Sequence, residues 1–87
     1  MTISQLKALQ PGTEITYEED GQRFRCKVLG VMIRDNVKIP ADWLAISLEV
    51  LCQEHSNGFY KDAKPGERFE ACLSISAGGA YCGWSIR

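Results

Sequence analysis

The chain has 87 residues, 45% of them hydrophobic and 24% charged, with ten basic against eleven acidic side chains. That length bounds it to one small domain with a modest core, and the composition excludes a disordered or collagen-like chain. The near balance of charge gives no global pull toward nucleic acid or an anionic membrane.

Thr2-Ile3-Ser4-Gln5 reads as a capping box, followed by Ile3, Leu6 and Leu9 at helical spacing. Pro11-Gly12 ends that helix in a type II turn. At barely two turns the helix has to be docked on something.

Two runs of strict alternation follow, joined by Asp20-Gly21, a strong two-residue hairpin signal because both positions tolerate positive φ. Closing the turn there sets Glu18 against Arg23, Tyr17 against Phe24, Thr16 against Arg25, Ile15 against Cys26 and Glu14 against Lys27. One face is then apolar and the other pairs opposite charges. The second strand continues to Arg34, with Gly30 as the natural place for a bulge or bend. Asp35-Asn36 offers a second turn, and Pro40 stops central-strand pairing beyond it.

Residues 42–55 fit a strand with Leu44, Ile46, Leu48, Val50 and Cys52 on one face. They also fit a helix, which would make the domain α+β. The β-branched residues and the alternation at 46–50 favour the strand. Residues 53–67 read as a long connection containing Asn57-Gly58 and Pro65-Gly66. A last hairpin is expected around Gly78-Gly79, setting Ile75 against Cys82, Leu73 against Trp84, Ala71 against Ile86 and Glu70 against Arg87. The fold expected is mainly β: a five- or six-stranded antiparallel barrel or roll, SH3-like or OB-like in outline, with a short N-terminal helix.

The apolar runs at 28–33 and 43–52 are too short to span a bilayer, and no basic-then-apolar leader follows Met1. The reducing cytoplasm is therefore the expected compartment, with the four cysteines as free thiols. The strand reading puts Cys26, Cys52 and Cys82 on apolar faces and Cys72 on a polar one. Cys52, His55, Cys72 and Cys82 are the only residues from which a zinc or thiol-redox site could be assembled, but no C-x-x-C pair is present. No metal or other cofactor is expected.

The basic stripe Arg23, Arg25 and Lys27, with Arg34 and Lys38 beyond, is the one candidate nucleic-acid face. Glu14 and Glu18 opposite it argue for self-neutralisation. No nucleophile, base and orienting acid fall at a recognisable spacing, so an enzyme is not expected. The favoured reading is a protein-binding module, an accessory subunit or small inhibitor and possibly a homodimer. Its contact residues would be Phe59, Tyr60, Lys61 and Lys64 of the long connection, with Trp43 and Tyr81. A competing reading of Phe59 or Tyr60 is a plug for an open end of the barrel.

Overall fold

The computed structural model describes residues 2–35, 42–59, 61–75 and 83–87. A short helix, α1 (Ile3–Lys7), precedes five strands: β1 (Glu14–Glu19), β2 (Gln22–Asp35), β3 (Asp42–His55), β4 (Arg68–Ser74) and β5 (Trp84–Ile86). All pair antiparallel in one sheet of order β4-β3-β2-β1-β5. Residues 42–55 are strand, so the α+β alternative is excluded. No helix among the described residues is long and apolar enough to cross a membrane.

The first hairpin has the register its alternation demands. Each of the five expected pairs is present, with Glu19 opposite Gln22 at the turn. Asp20 and Gly21 take φ of 50° and 78°, the left-handed pair that matches strand twist in a two-residue turn. The helix forms as its capping box requires, Thr2 N–H donating to Gln5 Oε1 and Gln5 N–H to Thr2 Oγ1. Leu6 is buried in the core, with Ile3 and Leu9 packed beside it.

The two Pro-Gly turns do the same mechanical work twice. Thr13 N–H bonds Gln10 O and Glu67 N–H bonds Lys64 O, with Gly12 and Gly66 at φ of 93° and 92°. Each turn then brackets one valine of the neighbouring strand. Gly12 N–H donates to Val28 O and Val28 N–H to Thr13 O; Gly66 N–H donates to Val50 O and Val50 N–H to Glu67 O. Both β1 and β4 are thus anchored at their starts.

Irregularities in β2 and β3 decide which residues face inward. Val28 stands opposite Leu48 but Gly30 opposite Ser47, so Leu29 is an extra residue beside the glycine expected to mark a bulge. On β3, Cys26 stands opposite Val50 and Arg25 opposite Cys52, which makes Leu51 the extra residue. A one-residue insertion reverses the facing of everything after it. Cys52, expected inside, is exposed on the charged face, whereas Cys26 is buried as expected.

The core is the inner face of this sheet: Ile15, Tyr17, Cys26, Val28, Leu44, Ile46, Leu48, Val50, Ala71, Leu73 and Ile86, closed by Leu6 of α1. Tyr17 sits at its aromatic end, stacked on Phe24 and Trp84 (both 5.9 Å between centroids) and edge-on to Phe69 at 4.9 Å.

The C-terminal strand departs from expectation. Ile86 lies opposite Tyr17 and Trp84 opposite Glu19, with Thr16 and Arg87 exchanging both backbone bonds. The pairings of Ala71 with Ile86, Leu73 with Trp84 and Glu70 with Arg87 are therefore not formed. The second side of β1 is open until β5 covers it, and covering that edge satisfies a row of backbone groups. Among the described residues the sheet is not closed, and β4 and β5 are its two edges. The Trp84 indole spans them, donating to Cys72 O at 3.1 Å. The Gly78-Gly79 turn, the second turn at 36 and Pro40 lie outside the described residues.

Two outcomes follow. Leu48 is fully buried, so Leu48→Ala should lower unfolding free energy by about 2–5 kcal/mol, read from urea melts. Burial, with a smaller push from Cys52 and against the pull of Arg25, raises the Cys26 thiol from an ordinary 9.0 to about 11. The fold favours the protonated thiol, so this contribution is complete below pH 9.0 and is lost as pH rises through about 11. Timed alkylation in native buffer should label Cys52 and Cys72 well before Cys26.

Candidate functional site

The outer face of the sheet carries the basic stripe, and its cations are paired from both sides. Arg23 reaches Glu18 at 3.6 Å and Glu54 at 4.0 Å, Arg25 reaches Glu14 at 3.7 Å, and Lys27 reaches Glu49 at 3.6 Å. Glu49 also holds Arg68 (3.2 Å), and Glu18 also holds Arg87 (2.5 Å). Glu14 faces Lys27 across the ladder yet bonds the diagonal Arg25, because β3 supplies Lys27 with Glu49. Exposed pairs of this kind are individually worth about 0–1 kcal/mol, so their effect is on the surface field more than on stability. The Arg34 side chain and Lys38 lie outside the described residues.

The thiol and imidazole candidates do not converge. Cys52 and His55 stand opposite Arg25 and Arg23, whereas Cys72 stands opposite Ala45 near the other end of β3. Seven residues of strand put Cys72 roughly 20 Å from Cys52. Among the described residues no three His, Cys, Asp or Glu side chains are grouped to hold a metal ion. Cys82 is outside the described set.

The connection after β3 is the most distinctive surface. Because Leu51 is bulged, Gln53 falls opposite Phe24 on the inner side of the sheet, beside Gln22. Gln22 is a polar residue only 5% exposed. Its Oε1 accepts from Gln53 Nε2 (3.0 Å) and from Asn57 N–H (3.0 Å). Gln53 Nε2 also donates to His55 O, and its Oε1 accepts from Ala63 N–H at 2.9 Å. Asn57 Nδ2 in turn donates to Asp20 O at 2.6 Å. A buried amide that is fully bonded holds its neighbours firmly, since an unmade bond there costs about 1–3 kcal/mol.

Residues 56–63 are consequently clasped onto the β1–β2 turn. Gly21 makes the approach possible: a Cβ there would lie 3.2 Å from Asn57 Cβ, and the positive φ already favours glycine. At the tip of this clasped turn Phe59 N–H donates to Asn57 Oδ1, and the Phe59 ring is 91% exposed. Phe59 is not a plug. Lys61 and Lys64 are exposed beside it and enter no ion pair among the described residues, and Lys61 lines a shallow depression with Glu19, Asp20, Gln22 and Phe24.

Trp43 is not part of this surface. It is half-buried at the opposite end of β3, paired with Arg34 and Ser74, and its buried Nε1 has no hydrogen-bond partner among the described residues. Tyr60 and Tyr81 lie outside the described residues. Gln22, Gln53 and Asn57 were not singled out by sequence as site residues; Asn57-Gly58 read only as a turn. Met32 and Ile33, 49% and 54% exposed at the end of β2, were likewise read as ordinary strand positions.

No family model, curated protein or solved structure matches the chain.

If the acids are what silences the outer face, removing them should create a polyanion site. Glu18→Gln with Glu49→Gln frees contacts to Arg23, Arg87, Lys27 and Arg68. The double variant should bind a random oligonucleotide with steep salt dependence while wild type does not. Equal binding by both proteins in a fluorescence titration would show that the pairing is irrelevant.

Proposed function

We propose that this chain is a non-enzymatic protein-binding module whose contact is the clasped turn bearing Phe59, flanked by Lys61 and Lys64. The supporting observation is a large apolar ring left 91% exposed on a turn that five hydrogen bonds to side chains and backbone hold in place. Leaving a phenylalanine in water forgoes about 1.5–3 kcal/mol relative to burying it, a term a partner surface recovers on binding. The rigidity matters equally, because a pre-ordered turn loses little entropy when it docks. The two unpaired lysines suit the polar rim of such a contact.

The role fits an accessory subunit or a small inhibitor of a larger protein, in a reducing compartment and without a cofactor. Nucleic-acid binding through Arg23, Arg25 and Lys27 is less well supported, since all three are engaged by carboxylates. A zinc or thiol-redox role has less support still, given the separation of Cys52 from Cys72.

The test is affinity capture with tagged wild type and Phe59→Ala from the native host. Phe59→Ala should lose the partner, by a factor of at least about 10 in affinity for a central aromatic anchor, with an unchanged melting curve. Retention of the same partner at equal affinity would refute the assignment. Sedimentation of the purified chain reports whether the partner is a second copy.

A further inference from the structure

We propose that Asn57-Gly58 is a self-modifying site: the Gly58 backbone nitrogen attacks the Asn57 side-chain amide within the folded protein, and the product releases the turn that carries Phe59. The chemistry needs only water. The Gly58 nitrogen gives up its proton and bonds Asn57 Cγ, the Cγ–Nδ2 bond breaks, and ammonia leaves with that proton. Water then opens the cyclic imide at either carbonyl, leaving an aspartyl or an isoaspartyl residue at 57.

Three hydrogen bonds of the clasp bear on these steps. Ser56 Oγ accepts the Gly58 N–H at 3.2 Å, the proton that has to depart. Phe59 N–H donates to Asn57 Oδ1 at 2.9 Å, where negative charge develops as the carbonyl is attacked, as in an oxyanion hole. Asn57 Nδ2, the leaving group, is held by Asp20 O at 2.6 Å. The attacking nitrogen is unhindered, since Gly58 has no side chain and open space where one would stand. Asn36, the other asparagine, precedes Val37, whose branched side chain crowds the corresponding nitrogen.

The product cannot keep the clasp. A carboxylate at 57 has no hydrogen to donate to Asp20 O and sets an anion against that carbonyl. The isoaspartyl form also lengthens the backbone between the Gln22 contact and Phe59. The site therefore works as a one-way timer on the turn. Its effect on partner capture rests on the binding reading above; the modification itself does not.

The experiment incubates the protein at mildly alkaline pH, native and in urea, and maps peptides by mass spectrometry. Native protein should gain aspartyl and isoaspartyl forms at 57 with release of ammonia, while Asn36 stays intact. Ser56→Ala should slow native conversion several-fold and leave the rate in urea unchanged. Hydrogen exchange at the Phe59 and Ala63 amides should quicken in the converted protein and in Asn57→Asp, with the sheet still protected. The proposal is overturned if native Asn57 persists for a period that converts the urea-unfolded chain, if Ser56→Ala has no effect on the native rate, or if Asn57→Asp leaves both amides protected. None of these readouts depends on a partner, so a failed capture with Phe59→Ala would not be confused with failure here.

Discussion

Most of the molecule is arranged around the two-residue turn at Asp20-Gly21. Two successive left-handed residues leave no freedom in how β1 lies on β2, and one register then separates apolar from charged side chains on both strands. Tyr17 is thereby placed where Phe24, Phe69 and Trp84 meet, and Glu18 where Arg23 and Arg87 meet. The same turn serves the long connection, because Gly21 makes room for Asn57 and Asp20 O accepts its side chain.

Bulges complete what the turn begins. A strand of fourteen residues on a small core has to bend, and the extra residues at Leu29 and Leu51 are where β2 and β3 do so. The second one also exchanges faces, sending Cys52 out to Arg25 and bringing Gln53 in to Gln22. A single inserted residue thus removes a cysteine from the core and creates the amide pair that holds residues 56–63. Packing and surface chemistry are coupled at that point.

The two faces of the chain differ in what they leave unsatisfied. On the outer face each of Arg23, Arg25, Lys27, Arg68 and Arg87 meets a glutamate, so little field is left to attract a polyanion. At the hairpin tip the reverse holds: backbone and amide groups are well bonded, yet Phe59 projects into water and Lys61 and Lys64 are unpaired among the described residues. Order without burial is the physical basis for the binding reading.

What could be read from residue order was whatever depends on near neighbours. The capping box, the Pro-Gly turn at 11–12, the β1–β2 register with its charge ladder, the strand at 42–55 and the bulge near Gly30 are all local, set by φ preferences and by alternation. Phe59, Lys61 and Lys64 were also legible as a candidate surface, although the plug and the contact were indistinguishable without knowing the exposure of Phe59. Tertiary structure alone decided the rest. Nothing local tells β5 to pair with β1 in place of β4, because that choice depends on which distant edge lacks a partner. The Leu51 bulge breaks an alternation that continues smoothly in the sequence, so Cys52 and Gln53 change sides with no signal in their neighbours. The clasp joins residues 22, 53 and 57 across a turn and a strand, and hydrogen bonds between such remote amides exist only once the sheet has brought them together.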